Sequence, residues 1–395
     1  MVNVYEELGV EQIINAAGTL TALGGSLLLP EVNDAMLAAS RSFVDVHELH
    51  LAAGRRIAEL VGVEAAHVCA GAAAGITLMA AACMTGTDPD KVNRLPDTSG
   101  MKHRFVVQRA HRNPFDQALR LAGGEFVEVG PDADELVAAL DSAPSTDGTP
   151  STDGAPSVDG GVAAVYHTVA WFCVREALPL AQVAEVAHQA GVPVIVDAAA
   201  EVPPVENLTR FIQEGANLVA FSGGKAIRGP QSSGFLLGTK DLIEACRLND
   251  NPHMAIGRPM KVSKEEIAGL VKALECYVAK DHAAEMATWE RRVAHVIGVL
   301  SGLPYVRAIR QLPSGVGQQI PHVALTWDER ALGVTYGDLV RRLKDGRPRV
   351  AVQLVTPQDY AGAGLPLEVR IHPHTLGEGE EIIVAERVRA MLVGL

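Results

Sequence analysis

The sequence predicts an α/β protein: a mostly parallel central sheet with helices on both faces, plus a smaller α+β domain at the C-terminus. Short apolar runs alternate with amphipathic helical patterns, and the runs are apolar throughout rather than at every second residue. Both features are typical of parallel strands buried on two faces and joined by helical crossovers. A change of pattern after Gly257 predicts the C-terminal domain.

Length and composition agree with this fold class. The chain has 395 residues, of which 48% are hydrophobic and 21% charged, as in soluble globular proteins of more than one domain. The net charge of −13 disfavours a nucleic-acid partner. The N-terminus "MVNVYEELGV" lacks the features of a signal peptide, and the apolar stretches are too short to span a membrane. The five cysteines form no CxxC pair, so we expect reduced thiols and a cytoplasmic location.

The first predicted part, residues 1–30, is an irregular segment lying over the active site, with the Gly-, Thr- and Ser-rich stretch "NAAGTLTALGGSLLLP". Residues 31–257 form the predicted large domain. It opens with the helical patterns "PEVNDAMLAASRSF" and "LHLAAGRRIAELVGV". The stretch "HVCAGAAAGITLMAAACMTG" predicts a strand, a small-residue turn and an apolar helix. Further strands are predicted in "RFVVQRA", "EFVEVG", "GVAAVYHTV", "VPVIVDAAAE", "NLVAFSGG" and "SSGFLLGT", with helices between most of them.

Residues 142–160 carry near-copies of a Pro-Ser-x-Asp-Gly unit, which predicts a mobile, solvated insertion. Residues 258–395 form the predicted small domain. One long helix is expected from Ser263 over "SKEEIAGLVKALECYVAKDHAAEMATWERRVAHVIGVLSGL". After it, the strands "HVALTWD", "RVAVQLV" and "LEVRIHP" alternate with two helical patterns.

Lys225, in the glycine-rich stretch "SGGKA", follows the apolar run "NLVAF", which leaves phosphate binding, a structural charge or covalent chemistry open. A nucleotide-binding P-loop would need glycine at position 219 and Ser or Thr at 226, where the chain has Val219 and Ala226. Asp197 ends the preceding apolar strand, and a buried carboxylate needs a cationic or hydrogen-bonding partner. Parallel strands bring both groups to one edge of the sheet.

A carboxylate and a lysine at neighbouring strand ends are what a pyridoxal phosphate site needs. The carboxylate keeps the pyridine nitrogen protonated, and the lysine, its pKa lowered by burial and by a cation such as Arg228, forms a Schiff base. Backbone N–H groups of "GAAAG", from Gly71, can bind the phosphate at a helix start, with Ser222 as a further donor. The glycines of the lysine loop, Gly224 among them, let the chain turn.

Other candidates each have a structural alternative. His111 would stack on the cofactor ring, or would simply begin a helix; His167 would line the cleft, or would be a core histidine. Arg258 and Lys261 would reach phosphate, or would belong to a basic linker. Arg370 would bind a substrate carboxylate, or would point outward from its strand. A substrate contact is also predicted for Arg228. Further substrate contacts are predicted from the N-terminal segment, where hydroxyl-rich turns are the alternative: Thr19, Thr21 and Ser26.

The histidine pairs His47/His50 and His372/His374 have spacings that zinc ligands can have, yet neither pair has a convincing third ligand. We therefore predict no metal site.

The stretches "VIVDAAAEVPP", "LVAFSGGKAIRGPQSSGFLLG", "NAAGTLTALGGS" and "GAAAGI" resemble fold-type I pyridoxal phosphate enzymes. Within these the chain resembles the L-seryl-tRNA(Sec) selenium transferase-like group, and most closely its D-glucosaminate-6-phosphate ammonia-lyase-like proteins, from about residue 10 onward. The resemblance implies a Schiff-base lysine at Lys225, ring contacts from Asp197 and His111, and Ala72 and Ala73 near the phosphate. It also implies a homodimer or larger homo-oligomer with sites at subunit interfaces.

The resulting expectation is a lyase that acts on an amino acid or amino-sugar acid by α,β-elimination and releases ammonia. Racemisation, aldol cleavage and transamination use the same residues and stay open. Selenium transfer on an aminoacyl-tRNA would need a basic patch and the tRNA-binding domain of the selenium transferases. The sequence shows neither, so small-molecule chemistry is expected. A non-catalytic cofactor-binding protein is the alternative from another class.

Overall fold

The computed structural model describes residues 4–141, 160–173, 176–313, 316–359 and 364–394. They form two compact units, one of Leu28–Ala279 and one of Met1–Leu27 with Lys280–Leu395. Apart from Gly160, the insertion predicted at residues 142–160 lies outside the described residues.

The larger unit contains a seven-stranded sheet in the order β2-β8-β7-β6-β5-β3-β4. Its strands are β2 (Ala65–Cys69), β3 (Arg104–Gln108), β4 (Glu125–Val129), β5 (Val162–Thr168), β6 (Val194–Asp197), β7 (Leu218–Ser222) and β8 (Gly234–Gly238). The strands from β4 to β7 pair in parallel, and only β8 runs antiparallel to its neighbours β7 and β2. The predicted, mostly parallel sheet is therefore confirmed.

Helices cover this sheet on both faces. They are α2 (Pro30–Ala39), α3 (Val46–Val61), α4 (Gly71–Thr85), α5 (Pro89–Arg94), α6 (Gln117–Leu121), α7 (Ala133–Asp141), α8 (Leu180–Gln189), α9 (Asn207–Gln213), α10 (Lys240–Asn249) and α11 (Lys264–Ala279). Consecutive residues Val194, Ile195 and Val196 are all fully buried, although side chains alternate between the faces of a strand. The core on one face packs around α4, which is apolar on every side.

The smaller unit has a five-stranded sheet in the order β1-β11-β12-β10-β9. Its strands are β1 (Ile14–Ala16), β9 (Val306–Gln311), β10 (His322–Trp327), β11 (Val350–Val355) and β12 (Glu368–Ile371). Its helices are α1 (Val4–Glu7), α12 (His282–Leu300), α13 (Glu329–Leu332), α14 (Tyr336–Asp345) and α15 (Glu380–Leu392). The mixed α+β character of the C-terminal part agrees with the sequence prediction.

Two details differ from the sequence prediction. The prediction of one long helix is wrong, because two helices, α11 and α12, stand in its place. The first ends at Ala279, and Asp281 caps the second by accepting a hydrogen bond from the Ala284 N–H at 2.9 Å. The N-terminal segment is not wholly irregular either, because β1 pairs in parallel with β11.

The compact units divide after Ala279, whereas the sequence placed the boundary after Gly257. Helix α11 packs on α2 and α3 and so belongs to the larger unit. The segment before Leu28 belongs to the smaller one.

Candidate active site

Asp197 is the last residue of β6 and is 6% exposed. Its Oδ1 accepts a hydrogen bond from the Ala199 N–H at 3.0 Å, and its Oδ2 accepts one from the Tyr166 hydroxyl at 3.4 Å. Burial raises the pKa of Asp197, while the Ala199 N–H, the charge of Lys225 and the Tyr166 hydroxyl oppose the rise. The carboxylate therefore has the partners that the sequence argument required.

Lys225 follows β7, whose Ala220 is the register partner of Asp197 on β6. The two glycines before it are needed for space. A Cβ on Gly223 would lie 2.3 Å from Ser233 Oγ, and a Cβ on Gly224 would lie 2.5 Å from the Cα of Gln231. The loop therefore folds back on the residues that lead into β8, and this fixes where the lysine side chain begins.

Burial lowers the pKa of Lys225, while the charges of Asp197 and Glu201 raise it. The net direction is downward, toward the neutral amine that covalent chemistry needs. Burial is the cause that lowers this pKa, and the contribution expected from Arg228 stays a prediction. Glu201 is 1% exposed and was missed by the sequence reasoning.

His111 ends a short 3₁₀ helix that follows β3, and it is 4% exposed. Its ring meets that of His167 edge-on, with the centroids 4.2 Å apart. Burial lowers the pKa of His111 to about 4, so the imidazole is neutral near pH 7. Within the described part of the chain, Nδ1 of each ring is buried without a hydrogen-bond partner. The two histidines are thus a pair of neutral, flat groups.

Helix α4 begins at Gly71, which has a positive φ of 84°. Gly71 and Ala72 are half-buried and Ala73 is exposed, and no described side chain caps this helix start or places an acid in its first turn. A Cβ on Gly234 would lie 2.8 Å from the Ala72 nitrogen, so β8 approaches these N–H groups through its backbone. The N–H groups of this helix start are therefore not capped by a described side chain.

Ser222, half-buried, ends β7 opposite Gly234, the strand residue that touches the start of α4. Arg228 has a φ of 59°, a left-handed conformation that is uncommon for a residue with a Cβ. Its N–H donates to the Lys225 carbonyl oxygen at 3.0 Å, closing the turn that carries the lysine. The larger unit thus brings together the start of α4, His111, Asp197, Ser222 and the Lys225 loop.

A family model described as L-seryl-tRNA selenium transferase matches residues 172–294. The 5'-C-glycyluridine monooxygenase-decarboxylase of a Streptomyces species is 36% identical over 98% of this chain and 92% of its own length. The D-glucosaminate-6-phosphate ammonia lyase of Salmonella typhimurium is 32% identical over 98% of this chain and 97% of its own. The chain belongs to the L-seryl-tRNA(Sec) selenium transferase-like family. The family that the sequence motifs predicted is confirmed.

A solved structure of a D-glucosaminate-6-phosphate ammonia-lyase aligns over 99% of both chains, with a TM-score of 0.78 and 29% identity. A serine palmitoyltransferase structure with pyridoxal phosphate aligns over 97% of this chain with a TM-score of 0.61. At 16% identity the second match shows the fold alone, which is the fold-type I architecture that the sequence predicted. The L-seryl-tRNA(Sec) selenium transferase of Rhizobium meliloti is 27% identical, and the match spans 57% of that protein.

In this family member the remaining predicted substrate contacts lie in the smaller unit. Thr21 is exposed, in a 3₁₀ helix of residues 21–23, and Thr19 and Ser26 are half-buried. Arg370 is on β12, where its Nε donates to Glu368 Oε1 at 2.7 Å, and both side chains are largely buried. The guanidinium is therefore held in place rather than pointing outward into solvent.

Tyr166, Thr168 and Asn113 were also missed by the sequence reasoning, although they lie beside Asp197 and His111. Tyr166 and Thr168 stand at the carboxyl end of β5, the strand next to β6. Polar residues at the end of an otherwise apolar strand were the available signal.

Among the described residues no three His, Cys, Asp or Glu side chains are arranged to hold a metal ion. Within the same residues no helix has the length and apolar character that crossing a bilayer requires.

Proposed function

We propose that this chain is a pyridoxal phosphate-dependent enzyme whose cofactor is held by Lys225 through a Schiff base. Asp197 holds a proton at the pyridine nitrogen, and His111 lies against the ring. The N–H groups of Gly71, Ala72 and Ala73, together with Ser222, bind the phosphate, and Gly224 gives the lysine loop its turn.

The observation that carries the proposal is the pair of half-buried Lys225 and buried Asp197, whose charges interact at neighbouring strand ends. Three further features fit the cofactor. The helix start at Gly71 is open to a phosphate, the neutral His111 ring has a buried nitrogen without a described partner, and Gly234 leaves room for close backbone approach. Family membership points to the same cofactor.

Pyridoxal phosphate, when bound, supplies an electron sink for the electron pair of a bond broken at the substrate carbon. The substrate amino group would take the place of Lys225 on the cofactor, which frees the lysine amine. That amine takes the proton from the carbon that bears the substrate amino group. That electron pair becomes a carbon–carbon double bond as the neighbouring carbon loses its leaving group. Lys225 then gives the proton to the leaving group, and addition of water to the product releases ammonia.

This α,β-eliminating ammonia-lyase reaction, on an amino acid or amino-sugar acid, is the activity we propose. It agrees with the name of the Salmonella relative and of the aligned solved structure. The Streptomyces relative, at 36% identity, favours a second candidate, oxidative decarboxylation with oxygen as the oxidant. Both candidates use the same lysine and carboxylate.

The first experiment is spectroscopic. Protein purified with pyridoxal phosphate should be yellow, Lys225→Ala should be colourless, and Lys240→Ala, which changes an exposed lysine at the start of α10, should stay yellow. A wild-type protein that takes up no cofactor would refute the proposal. A panel of D- and L-amino acids and amino-sugar acids then separates the two activities, because the lyase releases ammonia and a keto acid whereas the second candidate consumes oxygen and releases carbon dioxide.

We also propose a cytoplasmic homodimer or larger homo-oligomer. All five cysteines are free thiols. Large apolar side chains at the surface of the larger unit support a covering partner copy, among them Phe43 and Met254, which are 101% and 78% exposed. Light scattering on the purified protein would give the oligomer size, and a monomer would contradict this part.

A further inference from the structure

A chain of three buried polar side chains, Asn113, Thr168 and Tyr166, leads to Asp197. The Asn113 Nδ2 donates to Thr168 Oγ1 at 3.2 Å, and the Tyr166 hydroxyl donates to Asp197 Oδ2 at 3.4 Å. Between these two hydrogen bonds, the Thr168 hydroxyl acts on Tyr166, because it lowers the pKa of the phenol. Tyr166 and Thr168 are 1% and 2% exposed, and Asn113 is 9% exposed. Polar groups buried this deeply are costly unless they are hydrogen-bonded, and here they are bonded to one another.

The register of the sheet creates this chain. Thr168 on β5 lies opposite Asp197 on β6, and Tyr166 lies opposite Ile195. Because side chains alternate along a strand, Tyr166 and Thr168 share the face on which Asp197 stands. The phenol ring of Tyr166 is long enough to reach the carboxylate from two residues further back.

The donor direction follows from counting protons. A tyrosine has one hydroxyl proton, and Asp197 Oδ2 receives it, while Thr168 Oγ1 accepts from Asn113. The Thr168 proton is thus left to face the Tyr166 oxygen, which agrees with its lowering of the Tyr166 pKa. The Asn113 amide is oriented as well, because its Oδ1 accepts the Phe115 N–H at 2.9 Å. The Asn113 and Tyr166 donors therefore both point toward the carboxylate, and polar groups in such a series strengthen one another.

Asn113 also connects this chain to the histidine. Its Nδ2 donates to the His111 carbonyl oxygen at 2.9 Å, so one amide group serves both the backbone of His111 and the chain that ends at Asp197. The two groups proposed to touch the cofactor ring, at its nitrogen and at its face, share a single support.

We propose that Asn113, Thr168 and Tyr166 are positioning residues that act through Asp197. They keep its carboxylate charged and aimed at the ring nitrogen of the cofactor, and they fix His111 relative to it. This inference rests on the proposed function, because it assigns these residues a part in holding the same cofactor.

The need for such support follows from the surroundings of Asp197. Burial raises the pKa of this carboxyl, and the charge of Lys225 is one of the opposing influences. The Ala199 N–H and the Tyr166 hydroxyl are the two described groups that donate hydrogen bonds to this carboxylate, and they do so whatever the charge on Lys225. A carboxylate without Tyr166 would hold its own proton more tightly, and the ring nitrogen would lose proton occupancy.

The test uses the cofactor-loaded protein with pyridoxal phosphate labelled with ¹⁵N in the ring. In Tyr166→Phe the ring-nitrogen resonance should move toward that of the unprotonated ring. The kcat should fall about tenfold with little change in KM, which corresponds to the lower end of the free-energy range for a hydrogen bond to a charged group. Thr168→Val should shift the resonance in the same direction by less, and Thr168→Ser, which keeps the hydroxyl, should restore the wild-type value.

A double variant distinguishes an effect passed from Thr168 through Tyr166 from independent effects of packing. Because Thr168 acts through Tyr166, adding Thr168→Val to Tyr166→Phe should change the resonance no further, whereas independent packing effects would add. The control is Tyr336→Phe in the smaller unit, where a buried tyrosine hydroxyl bonds to the Trp327 backbone. It should lower thermal stability and leave the resonance unchanged.

Wild-type ¹⁵N resonance and kcat in Tyr166→Phe would overturn the inference, and so would additive effects in the double variant. If Tyr166→Phe does not fold, the Thr168→Val and Thr168→Ser pair decides alone. A wild-type protein that binds no cofactor is a different result, because it refutes the proposed function itself.

Discussion

Gly234 and Gly71 touch backbone to backbone. A Cβ on Gly234 would lie 2.5 Å from the carbonyl carbon of Gly71, closer than any side chain allows. The first residue of β8, just beyond the lysine loop, is therefore pressed against the start of α4. The loop that carries Lys225 and the helix start proposed to bind phosphate are held as one body.

Gly234→Ala should separate these two parts. We expect the free energy of unfolding to fall by roughly 1–3 kcal/mol, because the added methyl group must displace backbone. Affinity for pyridoxal phosphate should fall at least about tenfold with the loss of one charge-assisted hydrogen bond. Urea unfolding of the apo-protein and a cofactor titration measure the two effects.

The matched control is Gly298→Ala, inside α12, where an added Cβ would meet no described atom within 4 Å beyond its own helix backbone. It should gain roughly 0.5–1 kcal/mol of stability, because alanine favours a helix more than glycine does. Equal cofactor affinity in Gly234→Ala and wild type would contradict the phosphate site at α4.

Asp197→Asn should stabilise the apo-protein while weakening its hold on the cofactor. The pKa of Asp197 is raised in the fold, so its carboxyl contributes most to stability below its ordinary pKa of 3.8 and loses that contribution as the pH rises through the folded value. At pH 7 the variant avoids a buried charge. Its melting temperature should rise by roughly 2–4 °C per kcal/mol gained.

Asp250→Asn provides a contrast of opposite sign. Asp250 is fully buried, but its carboxylate is bonded to the His67 Nε2 at 2.8 Å and to the Asn251 N–H. Removing that charge breaks a satisfied pair and should lower stability. A lower melting temperature in Asp197→Asn than in wild type at pH 7 would show that the charged carboxylate stabilises the fold, against this expectation.

His111→Phe should make the apo-protein less sensitive to acid. The pKa of His111 falls from 6.5 to about 4 in the fold, so the unfolded chain binds the extra proton first, and stability is lost as the pH drops below 6.5. Between pH 7 and pH 5 this one group should cost wild type on the order of 2 kcal/mol. Urea unfolding at the two pH values, compared between wild type and variant, measures it. Identical losses in both proteins would mean that His111 is protonated in the fold.

Arg228→Asn tests the predicted substrate contact and should keep the backbone conformation at residue 228 unchanged. Asparagine tolerates the left-handed conformation that Arg228 adopts, so fold and cofactor colour should persist. KM for a substrate carboxylate should rise by roughly tenfold to a hundredfold with the loss of a charge-assisted contact. Tyr305→Asn is the control, because Tyr305 is an exposed residue of the smaller unit with a similar φ of 63°. An unchanged KM would remove Arg228 from the substrate site.

Much of the larger unit could be predicted because its signals are local. The apolar run before Asp197 and the run before Lys225 each predicted a buried strand, and parallel pairing then placed both residues at one edge of the sheet. The start of α4 was equally predictable from the sequence, because a run of small residues between a strand and a helix is typical of a tight turn at a helix start.

The features that the sequence reasoning missed are of two kinds. Some depend on pairing between distant parts of the chain, and one is a helix break inside a continuous helical pattern. Strand β1 has three residues and is fixed by β11, hundreds of residues away. The break at Asp281 was hidden because the apolar periodicity continues through it, even though aspartate is a common helix cap. The link from Tyr166 to Asp197 depends on the register of β5 and β6, which their own residues do not reveal.

The division of the chain into two units has a consequence for how this family diversifies. The residues proposed to hold the cofactor all belong to the unit of Leu28–Ala279, and the candidate contacts Thr19, Thr21, Ser26 and Arg370 belong to the other. If the second group contacts the substrate as predicted, we expect mutations there to change which molecule is accepted while the cofactor residues stay the same. Two relatives that each match 98% of this chain carry names as different as ammonia lyase and monooxygenase-decarboxylase.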